Sequence, residues 1–259
     1  MTKLEAIDYS VGHCVATIAL DRTEARNAMN AALRRELLLA VSRANDDPDV
    51  RVVVVTGNGK CFSAGADMRE GPPETSAEEQ INTEYKPIVM AISRSTKAYV
   101  SAINGAAAGV GAALAMACDL SVMAEDAYLL LPFAAMSLVP DGGTSWQLVN
   151  ALGRKRAYEI ILSGEKMSAQ QCLDWGLVNR VVPGDELLAA AGSWAEALVE
   201  KAPLAMRYSK EALRFAQNHD LDATISFEAK LQNMTYQAED VIEGVAARYE
   251  KRKPVFKGR

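Results

Sequence analysis

Histidine is almost missing: only His13 and His219 occur in 259 residues. A zinc hydrolase or a Ser-His-Asp triad needs a well-placed imidazole, and both histidines read more simply as turn or surface residues. Cysteine is sparse and scattered. Cys14, Cys61, Cys118 and Cys172 show no CxxC spacing, which suits reduced, mostly buried thiols of a cytoplasmic protein. No metal and no separate cofactor is therefore expected. Basic charge is in deficit, with 28 Lys+Arg against 33 Asp+Glu and a net charge of −5. That removes any general attraction to nucleic acid or anionic lipid. The N-terminus has no basic-plus-apolar signal pattern, so secretion is not expected. One long run lacks charge, between Lys97 and Asp119. It is mostly Ala and Gly, contains Ser101 and Asn104 and has no aromatic belt, so it is not read as a membrane span.

What is present is a soluble globular composition, 49% hydrophobic and 24% charged, long enough to bury a large core. The chain is organised around that uncharged run. Tyr99 to Ile103 reads as a strand, Asn104-Gly105 as a turn, and the residues after Gly109-Val110-Gly111 as a helix to Ala117. A strand, a glycine bend and a helix start together present free backbone N–H groups at one point, which suits an oxygen that becomes an anion. Gly105-x-x-x-Gly109-x-Gly111 with Tyr249-x-x-x-Lys253 also resembles the nucleotide fingerprint and catalytic pair of short-chain dehydrogenases. That fingerprint belongs just after a chain's first strand, and here about a hundred residues precede it.

In chain order, Ile7–Ser10 and Val15–Leu20 predict a hairpin around Gly12-His13. Asn30 predicts the cap of a helix reaching about Asn45, with Leu33, Leu37, Leu38 and Val41 inward. Val52–Thr56 predicts a strand covered on both faces, and Cys61–Met68 a second glycine bend. Arg69–Ser76 predicts a surface loop without regular structure, followed by a helix to about Ser93. Leu120–Met123, Ala127–Leu131 and Leu177–Val182 predict strands. Helices are expected at Thr144–Leu152 and Arg154–Leu162, with a capping box at Ser168-Ala-Gln-Gln171 closed by Gly176. Helices accumulate after Asp185. The pattern implies an α/β fold: a parallel core with a helical C-terminal region and no linker to a second independent domain. No repeat of fixed period is evident.

Four motifs in order carry a family resemblance: Arg26-Asn27-Ala28, Phe62-Ser-Ala-Gly-Ala-Asp67, Asn104-Gly-x-Ala-x-Gly-x-Gly111 and Leu114-Ala-Met-x-Cys-Asp119. Together they resemble the crotonase superfamily, also called enoyl-CoA hydratase/isomerase. The resemblance implies a crotonase-like spiral of ββα turns. Residues 1–200 would form the acyl-CoA-binding core and residues 201–259 a helical region for trimerisation and site closure. It implies acyl-CoA thioester substrates and a homotrimer or dimer of trimers, with no nucleic-acid or membrane partner. By position, the backbone amides of Ala66 and Val110 would form an oxyanion hole. The CoA arm would lie along Glu24, Ala25, Ala28, Ala64, Asp67 and Met68, and Lys251 would reach CoA phosphates, in some members those of a neighbouring subunit. Asp67 also reads as structural support, capping the next segment or orienting the oxyanion loop. Family members often place a basic residue where this chain has Glu24.

Family hydratases use two glutamates, at the positions of Ala113 and Phe133 in this chain. Both carboxylates are gone, so efficient hydration is not expected. Asp141, in Leu138-Val-Pro-Asp-Gly-Gly143, remains. With Pro132-Phe133-Ala134 it resembles the Δ3,Δ2-enoyl-CoA isomerase and oxepin-CoA isomerase-like branch. The resemblance implies Asp141 as the single acid/base of a double-bond shift, in an apolar pocket of Leu131, Phe133 and Met136. Asp141 in Pro-Asp-Gly is also a common turn pattern. Other enolate chemistry, and a catalytically silent CoA-binding oligomer, are the alternatives.

Overall fold

The computed structural model describes residues 4–259. The first three residues of the expected 1–200 core region lie outside the described residues. The chain opens with a hairpin, β1 (Ile7–Gly12) and β2 (Val15–Leu20). His13 and Cys14 both take positive φ at its turn, 52° and 60°, which matches the right-handed twist of the two strands. Asn30 caps α1 (Ala31–Asp46), its side chain accepting from the Leu33 amide. Leu33, Leu37 and Val41 of α1 are buried and Leu38 is half-buried.

From there the chain winds in ββα turns. The first comprises β3 (Val52–Gly57), β4 (Cys61–Ser63) and the helical segment α2 (Ala77–Gln80) and α3 (Lys86–Ser93), joined by a π-helical turn at Ile81–Tyr85. The second is β5 (Ala98–Ile103), β6 (Ala106–Ala108) and α4 (Val110–Ala117). The third is β7 (Leu120–Ala124), β8 (Tyr128–Leu130) and α5 (Thr144–Ser163). Each turn sends its first strand to one sheet and its second to another. With two further strands, β9 (Lys166–Ser168) and β10 (Arg180–Val182), the larger sheet runs β1-β2-β3-β5-β7-β10 and the smaller β4-β6-β8-β9. The insertion between β4 and α2 makes the first turn longer than the second, so no fixed period shows in the sequence.

β2, β3, β5 and β7 pair in parallel, with Val52 opposite Ala98 and Val100 opposite Leu120. They are largely apolar and buried, with α1 packed on β2, α4 on β5, and a later helix, residues 187–199, on all four strands. α5 breaks at Gly153 (φ 72°, ψ 163°), making two helices as expected. The box at Ser168 closes as predicted at the start of α6 (Ala169–Asp174).

Three expectations are corrected. The last strand, β10, covers only Arg180–Val182, because the Leu177 and Val178 amides turn back to the Cys172 carbonyl and leave the ladder. β6 and β9 (Lys166–Ser168) were not expected; each is three residues long and too short for a periodicity to show. The 69–76 stretch is not wholly irregular, since Asp67 caps a 3₁₀ turn at Met68–Glu70.

After β10 come α7 (Leu187–Val199), α8 (Pro203–Ala216), α9 (Leu221–Tyr236) and α10 (Glu239–Glu250). α7 packs on β3 and β5. α8 to α10 bury little: Leu213, Leu221, Ile225, Ile242 and Tyr249 are all exposed. No helix among the described residues is long and apolar enough to cross a membrane.

Asn27 joins the start of the spiral to the turn between β3 and β4. Fully buried, with φ 56°, it accepts from the Arg22 amide and donates to the Asn58 and Cys61 carbonyls. Asn27→Ala strands all three groups. It should lower the unfolding free energy by about 3 kcal/mol in chemical denaturation.

Candidate active site

β4 and β6 are parallel neighbours, with Cys61 opposite Ala106. Their ends therefore lie side by side, and so do the bends that follow them. Gly65 takes φ 91°, and a Cβ there would stand 2.7 Å from the Ala108 carbonyl. A Cβ on Gly111 would stand 2.7 Å from Ser63 Cβ. Only glycine allows the two segments this approach. A bridge between Met29 and Ala66, with Met29 N donating to Gly65 O at 2.7 Å, holds the first bend from behind. Gly109 N donates to Leu130 O at 2.9 Å and holds the second. Neither the Ala66 nor the Val110 amide donates a hydrogen bond among the described residues. Val110 opens α4, where the first amides are free by geometry. The structure thus brings together the two amides that the sequence singled out.

Asp141 comes to the same place by another route. A Cβ on Gly142 would meet Ala113 Cβ at 2.9 Å and Val110 Cγ2 at 3.2 Å. The 138–143 loop therefore lies against the first turn of α4. Asp141 Oδ1 is buried without a partner, and burial pushes the carboxyl up from its ordinary value, its own backbone N–H opposing weakly. Phe133 and Leu131 are buried, and Phe133 Cζ reaches the Gly109 backbone region. Met136 is exposed. The side chain of Val110 faces Gly142 and leaves its own amide clear.

Ala64, Ala66 and Met68 are exposed along one edge; Glu24 is exposed and Ala25 half-buried on the 3₁₀ turn Thr23–Ala25; Ala28 is buried. Asp67 takes the supporting place also expected of it, capping the turn that follows. It is buried, and both its oxygens are taken: Arg22 Nη1 at 2.9 Å, and Arg69 Nε and Nη2 at 2.8 Å each. Hydrogen bonds from Arg69, then from Arg22, hold its carboxyl far below the usual carboxylate range against the upward push of desolvation. Asp67 orients the bend. Lys251 is exposed at the end of α10. The tail after it is tied to Arg51, at the end of β3 away from Gly57, through the Phe256 carbonyl at 2.9 Å.

Sequence reasoning missed Arg34, whose side chain is buried. It donates to Met29 O and Glu70 Oε2 at 2.7 Å each and also pairs with Glu84. Its helical spacing placed it beside Leu33 on the inward face, a position at which a charged residue is itself a signal.

Residues 11–259 match the model of the Enoyl-CoA hydratase/isomerase family. A probable enoyl-CoA hydratase of Rhodobacter capsulatus is 36% identical over 254 residues, covering 98% of both chains. The 1,2-epoxyphenylacetyl-CoA isomerase of Escherichia coli is 31% identical over 250 residues, covering 95% of each. The crystal structure of an enoyl-CoA hydratase from Bacillus anthracis superposes with a TM-score of 0.94 at 32% identity, covering 98% of this chain and all of that one.

The Asp67 carboxyl is depressed in the folded protein, so its contribution to stability is present above the ordinary carboxylate pKa near ~4 and is lost as pH falls further toward the folded value. Asp67→Asn should therefore lower the melting temperature at pH 7. The gap to the parent protein should narrow steadily below about pH 4.

Proposed function

The chain belongs to the enoyl-CoA hydratase/isomerase family, and from that premise we propose that it shifts a double bond in an acyl-CoA, from the 3-enoyl to the 2-enoyl thioester. The observation that carries this reading is an unpartnered, partly desolvated carboxylate, Asp141, beside two free amides. The positions of the family's hydratase glutamates are meanwhile filled by the buried Ala113 and Phe133.

Asp141, ionised, takes a proton from C2. The C–H electrons pass to the thioester oxygen, giving a dienolate whose charge the Ala66 and Val110 amides stabilise, each worth roughly 3–4 kcal/mol at comparable sites. The electrons then return, the C3–C4 π pair takes the proton from Asp141 at C4, and the double bond lies between C2 and C3. One group with raised proton affinity can perform both transfers. Addition of water would need a second polar group to hold that water, and the walls at Ala113 and Phe133 offer none. The exposed edge from Ala64 to Met68, with Glu24, Ala25 and Ala28, is read as the path of the CoA arm. The apolar residues exposed on α8 to α10 favour a trimer or dimer of trimers, in which Lys251 would serve a neighbouring subunit's ligand. The reading places the enzyme in the cytoplasm. The relative named 1,2-epoxyphenylacetyl-CoA isomerase favours a second reading, a ring-type rearrangement using the same aspartate.

Incubation with 3-hexenoyl-CoA should yield the absorbance of a conjugated enoyl thioester. Asp141→Asn should keep CoA binding and lose about 10²- to 10⁴-fold in turnover; unchanged turnover would remove Asp141 from its role. No conversion by protein that still binds CoA would favour the silent oligomer, and rapid hydration of crotonyl-CoA would overturn the isomerase reading. Gly111→Ala should force β4 and α4 apart and cost about 10²-fold in kcat by misplacing one amide.

A further inference from the structure

Tyr85 belongs to none of the sequence motifs. It closes the π-helical turn at Ile81–Tyr85 and is only 4% exposed. Such turns interrupt an α-helix at a cost and recur at functional sites. Arg34 holds the phenol from two sides. Its guanidinium carbon lies 5.2 Å from the ring centroid, and its Nη1 points at the hydroxyl oxygen at 3.4 Å. The same Nη1 donates to Met29 O at 2.7 Å, and Met29 is the residue bridged to Ala66. The hydroxyl is therefore fixed close behind the oxyanion bend. With Arg34 against its oxygen, the phenol has its proton to offer, and among the described residues no acceptor takes it.

Asp141 has the complementary defect: Oδ1 is buried and accepts nothing. Both groups border the oxyanion bends, Tyr85 through Arg34 and Met29 behind Ala66, and Asp141 through Gly142 against Val110. Burial pushes the Tyr85 phenol up most strongly, the Arg34 guanidinium opposes, and the Asp141 carboxylate raises it further. Few other charges act here. Arg34 is balanced by Glu70 and Glu84. Arg22, Asp67 and Arg69 are paired among themselves on the oxyanion bend. α4, residues 134–140 and residues 144–153 carry no ionisable side chain.

We propose that Tyr85 is the positioning partner of Asp141: with an acyl group bound, its phenol donates a hydrogen bond to Oδ1 and leaves Oδ2 turned to C2 and C4. This rests on the reading of Asp141 as acid and base. A carboxylate free to rotate presents either oxygen at any angle. One held by a donor presents a single lone pair to two carbons in turn, and misorientation alone can cost a large factor in rate. The bond also favours the ionised carboxylate that begins the reaction, tempering its desolvation.

Tyr85→Phe keeps the ring against Arg34 and removes only the proton donor. With 3-hexenoyl-CoA, kcat should fall about ten- to a hundredfold with KM nearly unchanged. The acid limb of the kcat/KM profile should move to higher pH by about one unit, since loss of a donor disfavours the carboxylate. A carbon-13 titration of the Asp141 carboxyl, with a non-reacting saturated acyl-CoA bound, reads the same shift without turnover. An unmoved Asp141 titration in folded Tyr85→Phe, or an unchanged kcat and acid limb, would overturn the proposal. If Asp141→Asn is inactive while Tyr85→Phe behaves as the parent, the positioning role fails and the isomerase reading stands. If the titration moves but no isomerisation is seen in the parent protein, the pairing stands and the isomerase reading fails.

Discussion

Two backbone segments approach each other more closely than any side chain would permit, and the site exists because they do. Gly65 lies under the Ala108 carbonyl and Gly111 against Ser63, each at a distance a Cβ would not tolerate. That contact brings the bend after β4 beside the start of α4. Two amides that a regular ladder would have consumed are left free in one place. The parallel pairing of β4 with β6 makes the approach possible, and the glycines make it tolerable. The ions and side chains around it secure this geometry: the Met29 bridge, the Arg22–Asp67–Arg69 cluster and the bond from Gly109 to Leu130.

The two acidic residues near these amides show how environment divides roles. Asp67 has every oxygen engaged by guanidinium groups and is held ionised far into acid. Such a group is a poor proton acceptor and a good strut. Asp141 is half-buried with one oxygen orphaned, and burial raises its affinity for protons. Opposite shifts on the two carboxyls fit the proposal that one is a support and the other exchanges a proton.

Much of this was legible in the residues. The Asn30 cap, the capping box at Ser168 and the break at Gly153 follow from local chemistry that needs no distant partner. The glycines of both bends could be identified because close backbone approach leaves a residue-type mark. The full setting of the Asp67 side chain was harder to read, because one of its partners, Arg22, lies 45 positions away. Tyr85 was invisible for the same reason: its neighbour Arg34 is 51 positions distant. Lys251 matched by position, yet one chain folds its tail to the other end of β3.

The sequence by itself determined the alternation of strands and helices, the two glycine bends and the lone acid in the loop after β8, since propensity, capping and steric need are written locally. Only the tertiary structure decided which bends lie side by side, which aspartate is tied down and which keeps an orphaned oxygen. Those are distances between remote segments, and they come into being when the ββα turns stack.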